Sequence, residues 1–578
     1  MYKIRNTCVG CHNCYCECPM QAIYWSVNKY EIDPDRCVEC GLCARECHTA
    51  SIYNDSFDYS VEPHEKITHE ADVVVCGAGT GLVGAVRAAQ QGKKVIVLEK
   101  AEKVGGNTDY AHGYFPIYTK WHEEAGMEDV REKAIVHYQE ITDYELEEDI
   151  LRTAVYSPGE FFDWLCTLDD VHQAYQLVNL GDIDAKGPIY GPGLLDFKVR
   201  ILRNLNNRDD AIGPGWGGTY VIETMLKTIR EQHLPVEIYL EHAAKHLLLD
   251  DTGKIAGVIA EDPGGITEIH APTVILATGG FGRSDEKLKE FAPWFFEGET
   301  PFHRFSVKTD TGDGIDMLRE LGVEPNPERM FISHFGPKHH PYSNILADLA
   351  LEPEVLQINM DGKRWCCETY GRTDLYALTQ RIDHQPKQIS WAIQSRDNYA
   401  LIANHFMTDP AFINKWNMYE TWESELLGEA SLPHHPCIAA DTLDELAEMM
   451  GVPAQTLKET VEQYNAYCAK KEDADYGKEA EFLIPVSETG PYYAILGQRF
   501  SEAAMGGLTV DGECRVLRND GTFIPGLYGV GDATSAMHRK DKMAVISELT
   551  WAVASSFKSG NNAVAYVDAL QGGEAICG

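Results

Sequence analysis

Two short runs of cysteine near the N-terminus place the tightest constraint on what this chain can fold into. Both runs have the spacing C-x2-C-x2-C-x3-C. The cysteines are Cys8, Cys11, Cys14 and Cys18 in the first run and Cys37, Cys40, Cys43 and Cys47 in the second. Triplet spacing lets three thiolates of one tight loop reach three corners of a cube, and the other run then supplies the fourth corner. A segment this short must therefore fold around whatever its thiolates bind.

The spacing is typical of bacterial ferredoxins, in which the fourth cysteine of each run ligates the other cluster. The sequence therefore predicts two [4Fe–4S] clusters. The predicted ligand sets are Cys8, Cys11, Cys14 and Cys47 for one cluster and Cys37, Cys40, Cys43 and Cys18 for the other. Disulfides would need an oxidising compartment, and the N-terminus does not resemble a signal peptide. Zinc usually takes paired C-x2-C units rather than four cysteines at triplet spacing.

Length and charge limit the number of domains and the classes of function that the chain can have. A chain of 578 residues is too long for one simple core, so we expect several domains. The net charge of −39 argues against nucleic-acid binding, because phosphate contacts rely on Lys and Arg. No uncharged apolar run approaches the roughly 20 residues that a membrane span requires. We expect a cytoplasmic protein without a membrane span.

The region after residue 55 has the pattern of a nucleotide-binding domain. A polar linker is predicted over residues 56–70, and an apolar strand follows at 73–75. A glycine turn, a helix rich in small residues and a second apolar strand come next, ending at Glu99 and Lys100. This order is the dinucleotide fingerprint, in which the acid accepts hydrogen bonds from ribose hydroxyls. The glycines of the turn are Gly77, Gly79, Gly81 and Gly84.

The spacing of that turn departs from G-x-G-x-x-G. Counted from Gly77 and Gly79, the third glycine falls at Leu82, so the turn is expected to be one residue short; the alternative register is Gly79, Gly81 and Gly84. Three later glycine motifs follow in the order that a flavin enzyme uses, and they favour FAD over NAD. No histidine adjoins the motif at residues 105–108, which favours noncovalent FAD. Their predicted cofactor residues are Gly105, Gly106, Asn107, Thr108, Thr278, Gly279, Gly280, Gly531 and Asp532.

With these motifs, residues 71–570 resemble the FAD-binding family of fumarate reductases, succinate dehydrogenase flavoproteins and 3-ketosteroid dehydrogenases. Gly312-Asp313-Gly314, the segment 359–365 with Glu368, and the segment 505–508 also match, and Asp313 joins the predicted cofactor residues. The resemblance implies an α/β, Rossmann-like FAD-binding domain interrupted by an α+β capping domain, with a small α+β ferredoxin-like domain in front. The predicted domains are 1–55 (ferredoxin-like), 71–289 and 436–578 (FAD-binding) and 290–435 (capping).

The dicarboxylate machinery of the fumarate reductases is not retained. Ala503 stands where that group has a histidine, and Lys542 stands where it has a substrate-clamping arginine. Lysine presents a point charge where arginine presents a planar fork of N–H donors, so this exchange is not conservative. His538 matches the family motif, and Tyr493 matches a tyrosine that acts as acid or base in the ketosteroid branch. The candidate catalytic residues are Tyr493, His538, Lys542, Arg539, Arg396 and His334. The family's catalytic acid is an arginine, and both Arg396 and Arg372 lie near its position in the sequence.

Clusters carry single electrons and a flavin accepts one or two, so their fusion lets one chain collect electrons and deliver a hydride. Our leading hypothesis is a reductase of activated C=C bonds in an unsaturated carbonyl or carboxylate. Its one-electron donor would be ferredoxin, flavodoxin or a partner flavoprotein. The alternatives are a dehydrogenase that sends electrons out through the clusters, and a non-catalytic electron-transfer subunit.

Overall fold

The computed structural model describes most of the chain. The described residues are 2–5, 13–16, 18, 20, 22–26, 30–39, 42–45, 47, 51–54, 66–111, 114, 116–173, 175–179, 199–203, 217–296, 303–304, 306–333, 349–370, 378, 381–382, 384–408, 423–424, 426–427, 437–498, 500–501, 503–534, 536–539, 542–543 and 548–573. Within them the strands are β1 (Tyr2–Ile4), β2 (Ile23–Trp25), β3 (Tyr30–Ile32), β4 (Ile52–Asn54), β5 (Ile67–Glu70), β6 (Val73–Cys76), β7 (Val95–Leu98), β8 (Tyr175–Asn179), β9 (Val199–Arg203), β10 (Val236–Tyr239), β11 (Ala243–Leu249), β12 (Ile255–Asp262), β13 (Gly265–His270), β14 (Val274–Leu276), β15 (His303–Arg304), β16 (Phe331–Ser333), β17 (Leu356–Asn359), β18 (Ile389–Ser395), β19 (Cys437–Ala440), β20 (Tyr492–Gln498), β21 (Phe500–Ser501), β22 (Ala503–Met505), β23 (Arg515–Leu517), β24 (Phe523–Gly529), β25 (His538–Arg539) and β26 (Lys542–Met543). The helices are α1 (Asn13–Cys16), α2 (Leu42–Arg45), α3 (Gly81–Gln90), α4 (Lys120–Glu124), α5 (Arg131–Ile141), α6 (Glu148–Leu165), α7 (Gly217–Glu231), α8 (Asp285–Phe291), α9 (Asp313–Glu320), α10 (Arg396–Thr408), α11 (Leu443–Met450), α12 (Ala454–Lys470) and α13 (Glu548–Gln571).

The N-terminal unit is built from two matching halves. Strand β1 pairs antiparallel with β4, and β2 pairs antiparallel with β3. The one-turn helices α1 and α2 carry Cys14 and Cys43, and both cysteines are buried in a small core with Ile23, Tyr30 and Ile52. The duplication predicted from the cysteine runs is thus present in the backbone.

A six-stranded sheet forms the centre of the nucleotide-binding region, in the order β10-β7-β6-β14-β24-β23. The first five strands are parallel, and β23 joins the edge antiparallel to β24. Strands β6, β7 and β14 are buried along their whole length, as apolar runs covered on both faces must be. Helices α3 and α13 pack together against this sheet, and the carboxyl ends of β6, β7 and β14 meet at one edge.

A second, four-stranded sheet, β11-β12-β13-β5, lies in the same part of the chain. Strand β5 pairs parallel with β13 and leads directly into β6. Leu247, Val258 and Ile269 lie opposite one another on β11, β12 and β13, and all three are buried in the core that contains one face of the main sheet.

A third sheet, β17-β18-β20-β19, is antiparallel and has its own core with helices α11 and α12. Its strands come from both sides of the predicted boundary at residues 435 and 436. The short pairs β15–β21 and β16–β22 connect the segments that enter and leave this region. Among the described helices none is both long and apolar enough to span a membrane.

Candidate active site

A cleft opens where the central parallel strands end, and the glycine turn at the start of α3 forms one wall. Gly77 has φ of +115°, and a Cβ there would lie 2.1 Å from the Ala277 carbonyl oxygen. A Cβ on Gly79 would lie 2.8 Å from Thr108 Oγ1. Helix α3 has no acidic residue in its first turn, so its dipole favours an anion there. These features fit a pyrophosphate.

The other two glycines of the turn serve packing and do not line the cleft. A Cβ on Gly81 would meet Val75 Cγ1 at 2.8 Å, and one on Gly84 would meet the Ser556 carbonyl oxygen at 2.9 Å. Gly81 is already the first residue of the helix. Gly81 therefore allows the close approach of helix to strand that the third glycine of the fingerprint normally provides. The short spacing noted in the sequence is accommodated by starting the helix one residue early.

Glu99 lies at the end of β7, buried on the wall of the cleft. Its Oε2 accepts a hydrogen bond from the backbone N–H of Ala78 at 2.8 Å, and its Oε1 accepts one from Ala101 at 2.8 Å. Burial raises the pKa of Glu99, and the backbone N–H groups offset part of that rise. Each carboxylate oxygen keeps a second lone pair, so the side chain can still accept from ribose hydroxyls. His242 lines the same end of the cleft, and no motif in the sequence pointed to it.

An ion pair lies in the wall of the cleft. Lys100 Nζ lies 2.8 Å from Asp313 Oδ2 and donates to Thr311 Oγ1 at 2.5 Å. Asp313 is the first residue of α9, and Gly312 before it has φ of +77°. The pair joins the acid end of β7 to the Gly312-Asp313-Gly314 motif.

The far end of the cleft contains polar groups suited to a flavin and its ribityl chain. Asp532 lines it, and burial followed by the nearby Asp310 carboxylate raises the pKa of Asp532 to about 7. Asn107 Oδ1 accepts a hydrogen bond from the Val307 N–H at 2.8 Å. Thr278 Oγ1 is buried there and has no partner among the described residues. An unpaired buried hydroxyl in a cleft fits a bound polar ligand.

Most of the predicted cofactor residues meet in this one cleft. Those that line it are Gly77, Gly79, Glu99, Lys100, Gly105, Gly106, Asn107, Thr108, Thr278, Gly279, Asp313, Gly531 and Asp532. Gly280 does not line the cleft, and a Cβ there would lie 1.8 Å from the Ala504 carbonyl oxygen. Sequence reasoning missed Thr309 and Asp310, although they lie only three and two residues before Gly312 of the Gly312-Asp313-Gly314 motif.

Two candidate catalytic residues, Tyr493 and Arg396, come together around a third side chain, Glu423. The Tyr493 hydroxyl donates to Glu423 Oε1 at 2.9 Å, and Arg396 binds both oxygens of the same carboxylate at 2.6 and 2.9 Å. Burial and then Glu423 raise the pKa of Tyr493 to about 12, while Arg396 lowers the pKa of Glu423. Tyr493 therefore keeps its proton at neutral pH. Glu423 has no neighbouring motif that would have revealed it.

The other candidates are placed by the backbone alone or not at all. Strands β25 and β26 form a hairpin in which His538 pairs with Met543 and Arg539 pairs with Lys542. The hairpin brings these three candidates to one short segment. His334 and Arg372 lie outside the described residues.

The cysteine unit shows matching contacts in its two halves. Cys18 Sγ accepts a hydrogen bond from the Ala22 N–H at 3.2 Å, and Cys47 Sγ accepts one from the Ser51 N–H at 3.2 Å. Backbone N–H donors to sulfur fit thiolates that ligate iron–sulfur clusters. Cys14, Cys37 and Cys43 are also described, whereas the predicted ligands Cys8, Cys11 and Cys40 lie outside the described residues.

Comparison with known families agrees with both the cofactor cleft and the cysteine unit. The FAD binding domain family matches residues 72–547, and the 4Fe-4S dicluster domain family matches residues 7–51. The 4-oxocyclohexanecarboxylate 2-dehydrogenase of Sinomonas cyclohexanicum is 27% identical over 81% of this chain and 88% of its own length. The urocanate reductase of Eggerthella lenta is 28% identical over 81% of this chain and 70% of its own length. The NADH:acrylate oxidoreductase of Vibrio harveyi is 27% identical over 82% of this chain, which spans only 48% of that protein.

Solved structures share the fold. The open conformation of a flavocytochrome c3 fumarate reductase has a TM-score of 0.63 at 22% identity, covering 86% of this chain and 79% of its own. A 3-ketosteroid-Δ4-(5α)-dehydrogenase from Rhodococcus jostii RHA1 has a TM-score of 0.62 at 21% identity, covering 87% of this chain and 100% of its own.

Proposed function

Because the chain belongs to the FAD binding domain family, which matches residues 72–547, we propose that it reduces an activated C=C bond in an unsaturated carbonyl or carboxylate. As a member of this family with a fused 4Fe-4S dicluster domain, it is an FAD-dependent oxidoreductase. The observation that carries the proposal is the fusion of a cofactor cleft to a duplicated cysteine unit in one chain. FAD, when bound, supplies hydride transfer to or from carbon, and iron–sulfur clusters supply single electrons.

The side chains of the chain itself would hold the cofactor at both ends. The N-terminus of α3 and its glycine turn would face the pyrophosphate, and Glu99 would accept from the adenosine ribose. Asp532 and Asn107 would face the ribityl and flavin end. The predicted ligand cysteines would bind two clusters. Ferredoxin, flavodoxin or a partner flavoprotein would supply the electrons that these clusters carry.

The proton for the second carbon of the reduced bond needs a donor that stays protonated at neutral pH. Tyr493 meets this requirement, since its pKa is raised to about 12. Glu423 orients the phenol and Arg396 neutralises Glu423, and the Glu423 carboxylate can take up a proton and return it to the phenol after each turnover. His538, Arg539 and Lys542 on the β25–β26 hairpin are proposed to bind the carbonyl or carboxylate of the substrate, as is His334.

The substitution of Lys542 for the family's arginine supports a substrate other than fumarate. The relatives named above include reductases of urocanate and acrylate by name, which is compatible with an enoate. We further propose that the capping domain extends to residue 498, the end of β20, because strands β17 to β20 form one sheet. The other predicted domain boundaries stand as proposed from the sequence.

The first test follows flavin and cluster absorbance anaerobically after full reduction of the holoprotein. Fumarate, cyclic enones, steroid enones and aryl enoates are then added one at a time. Rapid reoxidation by an enone or enoate, and not by fumarate, is the expected result. Reoxidation by fumarate would contradict the argument from Lys542, and no reoxidation by any of them would contradict the proposed reduction.

A matched pair of variants tests the proton donor. Tyr493→Phe is expected to lower kcat by about 10²- to 10⁴-fold, the usual contribution of a positioned acid. Tyr492→Phe is the control, because Tyr492 is the adjacent residue of β20 and its hydroxyl donates to the Ser487 carbonyl oxygen instead. Equal activity of the two variants would exclude Tyr493 as the donor.

A dehydrogenase is the second candidate. It is favoured by the Sinomonas relative, a 2-dehydrogenase by name that is matched over 88% of its length. Oxidation of a saturated cyclic ketone with concomitant cluster reduction would identify this direction. If neither direction is observed and Tyr493→Phe leaves a partner's activity unchanged, the non-catalytic electron-transfer subunit is the better description.

A further inference from the structure

A buried carboxylate outside all the sequence motifs, Asp310, lies beside the glycine turn that follows β14. Asp310 is 2% exposed. Its Oδ2 accepts a hydrogen bond from the Gly282 N–H at 3.1 Å, and its carbonyl oxygen accepts one from the Arg283 N–H at 2.9 Å. These bonds fix the turn to the segment that carries Asp310, but neither of them uses the second carboxylate oxygen, Oδ1.

That second oxygen is buried and has no hydrogen-bond partner among the described residues. It lies against Gly279, where φ is +72° and a Cβ would be only 2.9 Å away. Asp310 and Gly279 both line the cleft. Leaving a buried acceptor without a partner costs free energy, so an unpaired oxygen in the wall of a cleft indicates a bond that forms when a ligand binds.

Another unpaired oxygen lies at the end of the same strand. Thr278 Oγ1 is buried without a partner among the described residues, and a Cβ on Gly314 would lie 2.6 Å from it. Thr278 also lines the cleft. The end of β14 thus presents a carboxyl oxygen and a hydroxyl oxygen, each next to a glycine. A ligand with several hydroxyl groups can bond both, because a hydroxyl donates as well as accepts.

The order of the strands indicates which part of FAD would reach Asp310. Strands β7, β6, β14 and β24 are neighbours in that order, and all four are parallel. Glu99 follows β7 and would meet the adenosine ribose, and the glycine turn after β6 would meet the pyrophosphate. Adjacent strands lie about 4.8 Å apart, so β14 is one step beyond the pyrophosphate. The part of FAD that follows the pyrophosphate is the ribityl chain with its hydroxyl groups.

We infer that Asp310 is a further FAD-binding residue, whose Oδ1 forms a hydrogen bond with a hydroxyl of the ribityl chain. Either protonation state of the carboxyl can form this bond, since the hydroxyl both donates and accepts. Asp310 then joins the cofactor to the turn at residues 279–282, because its Oδ2 binds the Gly282 N–H. The inference rests on the proposal that the cleft binds FAD.

The experiment measures the Kd of FAD for flavin-free protein by quenching of flavin fluorescence, and repeats the measurement with FAD analogues that each lack one ribityl hydroxyl. Asp310→Leu removes both carboxyl oxygens with little change in shape. It should raise the Kd of FAD about ten-fold or more. For the analogue that lacks the contacted hydroxyl, the same substitution should change the Kd by no more than about two-fold, because neither protein can then form the bond.

The conservative variant is Asp310→Asn, in which the amide keeps an oxygen for the Gly282 N–H and places a polar NH2 group beside Gly279. It should retain most of the FAD affinity that Asp310→Leu loses. The control is Asp149→Leu. Asp149 Oδ2 accepts a hydrogen bond from the Gly512 N–H at 2.7 Å, a contact of the same kind as that of Asp310 with Gly282 but outside the cleft. This variant should keep the wild-type Kd of FAD.

An unchanged Kd of FAD in Asp310→Leu would overturn the inference. An equal rise in Kd for FAD and for every analogue would also overturn it, because Asp310 would then act only on the turn. If Asp310→Leu does not fold, Asp310→Ala replaces it with the same expectations. Failure of the wild-type protein to bind FAD would instead contradict the proposed function.

Discussion

Buried charge is treated in opposite ways in the two large regions of this molecule. In the region of the sheet β17-β18-β20-β19, Arg364, Glu368, Asp473 and Lys478 have side chains that are 0–5% exposed, and each charge touches one of opposite sign. In the cleft, burial and the Asp310 carboxyl raise the pKa of Asp532, and no cation is among the described groups that shift it. A buried charge that is fully paired holds a structure together, whereas one that is not paired is available to a ligand.

The pKa shifts of the buried carboxyls differ between the two regions in the same way. Burial alone would raise the pKa of Glu368, but Lys478 and Arg364 lower it below its usual value. Burial likewise opposes ionisation of Asp473, and the hydrogen bond from Arg364 outweighs it. In the cleft, burial and like charge act together to raise the pKa of Asp532 to about 7. The paired cluster is therefore ionised and closed, and Asp532 in the cleft is poised to change protonation.

The largest effect is expected from breaking the paired cluster. Arg364 makes a bidentate contact with Glu368 at 2.9 and 2.7 Å and also lies 2.9 Å from Asp473. Arg364→Met leaves two buried carboxylates facing one lysine, so the free energy of unfolding should fall by about 3–5 kcal/mol. Chemical denaturation followed by tryptophan fluorescence checks this. A loss below about 1 kcal/mol would show that the cluster adds little to stability.

A smaller loss, measured as FAD affinity, is expected from placing a side chain in the glycine turn. Gly77→Ala would place a Cβ 2.1 Å from the Ala277 carbonyl oxygen in a backbone conformation unsuited to alanine. The turn must shift, and the Kd of FAD should rise at least about ten-fold, or about 1.4 kcal/mol. Gly92→Ala is the control: it has φ of +85° but nothing within 4 Å, and it should retain wild-type FAD affinity.

The two regions should also respond to pH with opposite signs. The folded pKa of Asp532 is raised, so its contribution to the stability of flavin-free protein is present at low pH and is lost as pH rises from about 4 to about 7. The folded pKa values of Glu368 and Asp473 are depressed, so their contribution is present above about pH 4 and is lost as pH falls below it.

Thermal unfolding of flavin-free wild-type protein and Asp532→Asn between about pH 4 and about pH 8 separates these contributions. The variant should be relatively more stable than wild type at the upper end of the range and should show no such gain near pH 4. The same difference in Tm at every pH would mean that Asp532 does not titrate in the folded protein.

The smallest effect is expected from an exposed pair. Lys458 and Asp444 lie 2.6 Å apart in the same region, with side chains 42% and 63% exposed. Lys458→Met should change the free energy of unfolding by less than about 1 kcal/mol, because solvent screens the pair. A loss comparable to that of Arg364→Met would show that burial is not what distinguishes the cluster.

The local motifs of the chain could be predicted because each depends on residues close in sequence. The fused 4Fe-4S domain and the family were predicted and are confirmed by the matches to the 4Fe-4S dicluster and FAD binding domain families. The turn, helix and strand that end at Glu99 were likewise visible in the spacing of glycines and apolar residues. The pairing of β19 and β20 with β18 was not visible there, since it is a long-range contact that leaves no local pattern.

The sequence by itself determined which cofactors the chain can bind, because cysteine spacing and glycine turns are short-range requirements on backbone shape. It also supplied Tyr493 and Arg396 as separate candidates. Only the tertiary structure placed Glu423 between them and put Asp310 inside the turn at residues 279–282. The physical reason is that a pKa and a hydrogen-bond partner depend on burial and on neighbours from distant segments, which one stretch of sequence does not record.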